Sequence, residues 1–231
     1  MDCQSPFPRA RSITWTWLPD PAFACGTIQV TPDRSIAFFD AQFQRQLRER
    51  DFRLNPFELA AIPYLKGRVL DYGCGIGNLA FAAAGQGCNV LALDASATAI
   101  SHIKQRAADE ALPVQAALAD LRHYDLEEDF DAVVSIGLLM FFDCPTAFMA
   151  LANLQAHVRE GGVAIVNVLV EGTTYLEMFG AEGHCLFSRD EMAARFAGWE
   201  VLHLGFSDFE APGGSNKAFA TIIARKPARP S

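Results

Sequence analysis

The sequence predicts an α/β fold wound on both faces of a mostly parallel sheet, and three observations carry that expectation. Residues 68–72 read as a short buried strand, Gly73, Gly75 and Gly77 as the turn after it, and residues 79–84 as an Ala-rich helix. A second strand, 89–93, ends at Asp94, and the interval 94 − 71 = 23 residues is about what one strand-helix-strand unit requires. Residues 163–170 are almost continuously apolar, as a central strand buried on both faces must be.

Each element follows from local pattern. Residues 1–34 read as an irregular arm or small ribbon: 12–17 alternate as a strand does, but Pro19, Pro21 and Pro32 break the stretch. Trp15 and Trp17 read first as cover for a core edge and second as pocket lining. The domain proper is 35–231. Ile36, Phe39, Phe43 and Leu47 recur at three- and four-residue steps, which predicts a helix over 35–53 capped by Asp33 or Ser35. Another helix follows at 56–64. After Asp94, a helix over 96–111 turns Ile100, Ile103 and Ala107 inward and stops at Pro113. Strands are expected at 114–119 and 130–136. Asp143 caps the next helix, with Pro145 in its first turn and Phe148, Leu151, Leu154 and Val158 along its apolar stripe; Gly161-Gly162 ends it. A long loop, 171–187, leaves the fifth strand at its carboxyl end, where open parallel sheets bind ligands. Ser188-x-x-Glu191 is a capping box for a helix running through Phe196. A strand over 199–204, a polar turn over 208–216 and a last strand over 217–225 complete the chain.

The glycine turn carries the chemistry. Glycines let the backbone turn sharply and approach a ligand, and the free N–H groups of a helix start favour an acceptor. A dinucleotide turn requires Gly-x-Gly-x-x-Gly, but position 78 is Asn78 and position 80 is Ala80. The pattern is instead Asp-x-Gly-x-Gly-x-Gly. Asp71, an acceptor at the strand end, suits a ligand with an ammonium group and suits a pyrophosphate poorly. Asp94 is placed to accept from both hydroxyls of a ribose.

Asp71-Tyr72-Gly73-Cys74-Gly75-Ile76-Gly77 resembles the first motif of the class I S-adenosylmethionine (SAM) methyltransferases. More narrowly, the stretch from Lys66 to Lys226 is similar to the tellurite-resistance (TehB-type) methyltransferases. Besides the glycine turn, Ser135-Ile136-Gly137-Leu138-Leu139-Met140-Phe141, Phe187-Ser188-Arg189-Asp190-Glu191 and Ala218-Phe219-Ala220-Thr221-Ile222-Ile223-Ala224-Arg225-Lys226 carry that similarity. The resemblance implies a Rossmann-like, doubly wound, seven-stranded sheet with an antiparallel last strand, and N-terminal segments covering the cofactor cleft. It implies SAM as cofactor and S-adenosyl-L-homocysteine as product. It assigns Asp71, Gly73, Gly75 and Gly77 to the amino-acid tail, Asp94 and Ala95 to the ribose, Asp120 and Leu121 to the adenine, and Ile136 and Gly137 to the methionine end. Arg53, just before the helix at 56–64, is a candidate partner for the methionine carboxylate.

The acceptor side is less determined. It should lie over 136–142 and beneath 171–187. His184 is the candidate base because its ordinary pKa is near neutral. Tyr175 is a candidate for orienting the acceptor and Lys217 for attracting an anionic one. The sequence departs from the tellurite family at 208–216, which lacks its His-Arg pattern, and at Ala218, where an arginine is expected. The aromatic character of the pocket leans instead toward a small neutral organic, or a thiol, selenide or similar soft acceptor. A SAM-binding module without catalysis is the alternative reading.

Composition narrows the partners. The 231 residues carry a formal charge of −8, with 51% hydrophobic and 20% charged residues. No basic surface for tracking phosphates is expected, so nucleic acid is not a partner. The longest apolar runs, 132–142 and 163–170, are too short to span a bilayer. The start, Met-Asp-Cys-Gln-Ser, has no basic n-region, which points to a cytoplasmic protein, monomer or homodimer. The six cysteines contain no Cys-x-x-Cys pair, so free thiols and no metal site are expected.

Overall fold

The computed structural model describes residues 34–180 and 183–228, all within the unit Pro32–Ser231. Of the arm expected over residues 1–34, residues 1–33, with Trp15, Trp17 and the Asp33 cap, lie outside the described residues, and Arg34 belongs to the first helix. Seven strands form one sheet in the order β3-β2-β1-β4-β5-β7-β6. These are β1 (Arg68–Tyr72), β2 (Asn89–Asp94), β3 (Val114–Leu118), β4 (Phe130–Ile136), β5 (Val158–Leu169), β6 (Glu200–Ala211) and β7 (Ser215–Arg225). β1 to β5 are parallel, and β7 runs antiparallel between β5 and β6. The Rossmann-like, doubly wound architecture with an antiparallel last strand is therefore as expected.

Helices cover both faces. α3 (Asn78–Gly85) and α4 (Ala97–Asp109) pack on one, where Leu79, Phe81, Ile100 and Ile103 meet Val90, Val134 and Ile165. α5 (Cys144–Ala156) and α6 (Arg189–Ala194) pack on the other, where Leu151, Leu154, Met192 and Phe196 meet Val133, Val166 and Ile222. β5 alternates between these two cores with every residue from Ala164 to Leu169 buried, which is why its sequence shows no polar face. The Asp143 cap is as read, accepting from the Thr146 N–H; Ser188 accepts from the Glu191 N–H, but the Glu191 carboxylate pairs with Arg195, so only half of the expected capping box forms.

Four expectations need correction. The helix α1 (Arg34–Glu49) stops short of Arg53, because Arg50 takes a positive φ of 54° and turns the chain. Gly161-Gly162 lies inside β5 and does not terminate α5, which ends at Ala156. The polar segment 208–216 is not a turn: β6 runs on to Ala211 and pairs with β7 down to Ala211–Ser215, leaving Pro212–Gly214 as the connection. Polar residues fit this strand because it is the sheet edge and mostly exposed. Finally, Cys144 and Cys185 are not free thiols but are joined by a disulfide, with sulfurs 2.12 Å apart. Their sequence separation of 41 hides the pairing from any local spacing rule.

Candidate active site

A cleft of about 470 Å³ opens above the carboxyl ends of β1, β2, β4 and β5. Its size is that of a small-molecule or cofactor site. The polar groups of its walls fall into two zones, set by strand order.

The first zone lies over β1, β2 and β3. Asp71, Gly73, Gly75, Asp94, Ala95, Asp120 and Leu121 all line the cleft here. Gly73 has φ +85°, and a Cβ there would sit 3.0 Å from Leu138, so both backbone angle and space demand glycine. Gly77 does not line the cleft. It caps α3 in the left-handed region, and a Cβ there would lie 2.8 Å from Ile103, so its task is packing the helix onto the sheet. Asp94 ties this zone together: one carboxylate oxygen accepts from the Gly75 N–H at 2.9 Å and the other from the Ser96 N–H at 2.8 Å. Burial pushes its pKa up, and those backbone donors oppose the shift. Behind the cleft, the Tyr72 hydroxyl donates to the Leu121 carbonyl at 2.5 Å and fixes the loop after β3.

Asp71 is the unusual member. It is 5% exposed, and its Oδ2 has no hydrogen-bond partner. Burial raises its pKa to about 8, with Glu58 and Asp94 adding like-charge repulsion. A buried carboxylate oxygen without a donor is a costly feature unless a ligand supplies the missing partner. The ligand group that fits is a cation with N–H donors, so the residues suit the ammonium of an amino acid.

The second zone lies over β4, β5 and β7. Ile136, Gly137, Met140, Phe141, Asn167, Leu169, Tyr175, Met178, Lys217 and Phe219 line it. Phe39 of α1 stacks edge-on against Phe141 with ring centroids 4.9 Å apart, so α1 forms a wall shared by both zones. The Lys217 ammonium sits 4.7 Å from the Tyr175 ring centroid, and burial lowers its pKa. The disulfide joins the first residue of α5 to the loop after β5, and the Cys185 N–H donates to the Met140 carbonyl at 3.0 Å. The loop after β5 contributes Tyr175 and Met178 to the cleft, and the segment just before α5 contributes Met140, Phe141 and Phe142.

Of the sequence-derived candidates, Tyr175, Lys217 and Arg53 also line the cleft, although Arg53 is fully engaged with Asp51 at 2.7 and 2.9 Å. His184 does not: it is exposed, and its ring stacks on Phe179 with centroids 4.4 Å apart. Sequence reasoning missed Glu58, which lines the cleft and closes a capping box with Asn55. The Asn55-x-x-Glu58 spacing was the signal. It also missed Asn167, whose signal was a lone amide inside an otherwise apolar strand.

The sheet order, the glycine turn and the acids near the ends of β1, β2 and β3 are similar to those of class I SAM-dependent methyltransferase domains. Residues 69–162 match the model of a methyltransferase domain family. The chain is TehB-like: it is 25% identical over 166 residues to the probable SAM-dependent methyltransferase TehB of Haemophilus influenzae, covering 69% of this chain and 57% of that protein. The crystal structure of TehB from Haemophilus influenzae superposes with a TM-score of 0.68 at 22% identity, over 78% of this chain and 65% of that one. Hemagglutinin 1 of Eikenella corrodens is 29% identical over 170 residues, covering 69% of this chain and 55% of that protein. The chain thus spans little more than half the length of these two curated relatives. Among the described residues, no helix is long and apolar enough to cross a membrane.

Proposed function

We propose that the protein transfers the methyl group of SAM to a small-molecule acceptor. The observation that carries this reading is Asp71: a buried carboxyl group at the end of β1 whose Oδ2 has no partner, beside a glycine turn that lines the same cleft. It matches the amino-acid tail of a sulfonium donor and would not tolerate a pyrophosphate. In this reading Gly73 and Gly75 bring the backbone against the tail, and Arg53 leaves Asp51 to meet its carboxylate. Asp94 and Ala95 hold the ribose, Asp120 and Leu121 the adenine, and Ile136 and Gly137 the methionine end. When bound, SAM supplies a methyl group already activated by the positive sulfur.

The protein's contribution is then alignment and exclusion of water. Phe39, Phe141, Met178 and Phe219 form the dry wall of the acceptor side, with Tyr175 and Lys217 as its orienting groups. A general base is needed only for acceptors that must lose a proton near neutral pH. His184 would serve only if its loop moved, because it is exposed and does not line the cleft. We also place the protein in the cytoplasm, as its sequence suggests, although the Cys144–Cys185 bridge is uncommon there.

Two measurements test the proposal. Calorimetric titration should show SAM and S-adenosyl-L-homocysteine binding and no NADH binding. A screen of phenol, amine, thiol, selenite and tellurite acceptors should then release S-adenosyl-L-homocysteine with at least one of them. Binding without turnover of any acceptor would favour a non-catalytic SAM-binding module, and the absence of SAM binding would remove both readings.

A further inference from the structure

Asn167 is the one polar side chain on β5 between Val163 and Leu169, and it is 0% exposed. Its amide nitrogen donates to the Thr221 hydroxyl at 2.9 Å and the Ala220 carbonyl at 3.3 Å. A carbonyl oxygen can only accept, so the amide cannot be flipped without setting two oxygens against each other. The amide oxygen is therefore forced to the other side, where it has no hydrogen-bond partner although the residue lines the cleft. It is an orphaned acceptor on β5, separate from Asp71 Oδ2 and Asn78 Oδ1, which belong to the β1 end of the cleft.

Its lateral position tells which ligand it serves. Asn167 pairs with Ile136 on β4 and with Thr221 on β7. Neighbouring strands are about 4.8 Å apart, so β5 lies roughly 10 Å from β1, where the amino-acid tail has its carboxylate, on the side away from β2 and β3. The nucleoside acids are in the opposite direction. Asn167 therefore faces the acceptor half of the cleft, next to the strand end assigned to the methionine side.

We infer that Asn167 selects a protic methyl acceptor, an amine N–H or a hydroxyl O–H, by accepting a hydrogen bond from the group that becomes methylated. The inference rests on the methyltransferase reading above and goes beyond it by naming the acceptor class. The amide oxygen holds the acceptor's hydrogen, which leaves the nucleophile's lone pair free to point along the transfer axis. The acceptor's lone pair forms the new bond to the methyl carbon, the carbon–sulfur pair returns to sulfur, and the acceptor's proton passes to water. A thiolate, selenide or telluride has no such hydrogen and presents lone pairs to the amide oxygen. A thiol offers only a weak donor. The site is thus built against soft anionic acceptors and departs in chemistry from a tellurite-type site. Further along the same face of β7, Phe219 and then Lys217 follow Thr221, both lining the cleft. An apolar body with an anionic far end suits that row.

The test uses 4-hydroxyphenylacetate and phenethylamine as protic probes, with 4-mercaptophenylacetate and selenite as soft ones. The expected result is turnover of at least one protic probe with kcat/KM tenfold or more above both soft probes. Asn167→Val should cut that preference by tenfold or more, while SAM affinity stays within twofold. Calorimetric binding of the favoured protic probe to the protein holding S-adenosyl-L-homocysteine should weaken in parallel. Thr221→Val, which frees the amide to rotate, should shift the preference in the same direction and guards against a folding defect in the first variant. Preference for a soft probe, an unchanged preference in Asn167→Val, or SAM binding with no turnover of either protic probe would overturn the inference and leave the cofactor reading standing. Loss of SAM binding in the wild-type protein would remove both.

Discussion

The buried carboxyl group of Asp71 makes SAM binding dependent on pH in a way that can be worked out from its surroundings. In the free protein its pKa is raised from the ordinary 3.8 to about 8, chiefly by burial. The bound ion pair needs Asp71 ionised and the ligand amino group protonated, and an α-amino group has a pKa of about 7.7–8.0. The competent fraction is the product of the two, which peaks near pH 8 and falls tenfold per unit on either side. Between pH 8 and pH 6 the affinity should therefore drop about twentyfold, with close to one proton released per SAM bound on the acid side. Titration calorimetry at pH 6, 7 and 8, each in two buffers of different ionisation heat, measures both quantities. Asp71→Asn should lose the acid limb and the proton release, and should bind SAM more weakly at pH 8 by about 1.5–3 kcal/mol, the scale of a hydrogen bond to a charged group.

The same group has a stability signature. A carboxyl whose folded pKa is raised holds its proton in the native state but not in the unfolded chain. Its contribution to stability is full below the unfolded pKa of 3.8 and is lost as pH rises toward about 8. The slope cannot exceed about 1.4 kcal/mol per pH unit, and the whole loss has an upper bound of about 6 kcal/mol. Denaturant unfolding of the ligand-free protein at pH 5 and 8 should show this loss, and Asp71→Asn should flatten it. A SAM affinity that is level from pH 6 to 8 in the wild-type protein, matched by Asp71→Asn, would refute the assignment of Asp71 to the ammonium.

Three further outcomes follow from the same geometry. Gly73→Ala should weaken SAM binding by roughly 1–3 kcal/mol, because an alanine must hold φ +85° with its Cβ 3.0 Å from Leu138; calorimetry reads it, and circular dichroism checks that the variant is folded. Asp94→Ala should cost about 1–2 kcal/mol in SAM affinity, and it should also destabilise the free protein, since the Gly75 and Ser96 N–H groups lose their acceptor. Breaking the Cys144–Cys185 bridge, by Cys144→Ser or by reductant, should lower unfolding stability by up to about 4 kcal/mol on chain-entropy grounds for a separation of 41 residues. Equal denaturant midpoints with and without reductant would show that the bridge does not form in solution.

The fold was legible because its determinants are local. β1, the glycine turn and α3 lie within eighteen consecutive residues, Arg68 to Gly85, and each is dictated by the residues it contains. The strand-to-acid interval from Asp71 to Asp94 is likewise a property of one supersecondary unit. The errors came where a partner distant in sequence decides the conformation. The polar stretch 208–216 becomes strand and connection because β7 supplies its hydrogen bonds. Cys185 finds Cys144 because the loop after β5 folds back over Met140. His184 is the residue type expected of a base, but its ring stacks on Phe179 and it does not line the cleft.

That difference between local and distant determinants also explains why the donor side of the cleft can be read residue by residue and the acceptor side cannot. In the proposed reading the donor's tail, ribose and adenine meet the ends of β1, β2 and β3, three strands that follow one another in sequence. The acceptor side is assembled from β4, β5, β7, α1 and the loop after β5, which are scattered over the chain from Ser35 to Phe219. No short motif spans them. What remains readable is electrostatic need: the buried acceptor atoms without a partner among the cleft's residues include Asp71 Oδ2 and Asn78 Oδ1 on the donor side and Asn167 Oδ1 on the other. The Asp71 carboxyl group, once ionised, calls for a cation, and a neutral amide oxygen whose nitrogen is held by Thr221 and Ala220 calls for a neutral N–H or O–H donor. The two vacancies differ in charge, so the two halves select different chemistry, and exchanging their character separates them experimentally. Asn167→Asp should admit amines at the expense of phenols while leaving SAM affinity unchanged, whereas Asp71→Asn should weaken SAM binding and leave the preference between acceptors as it was.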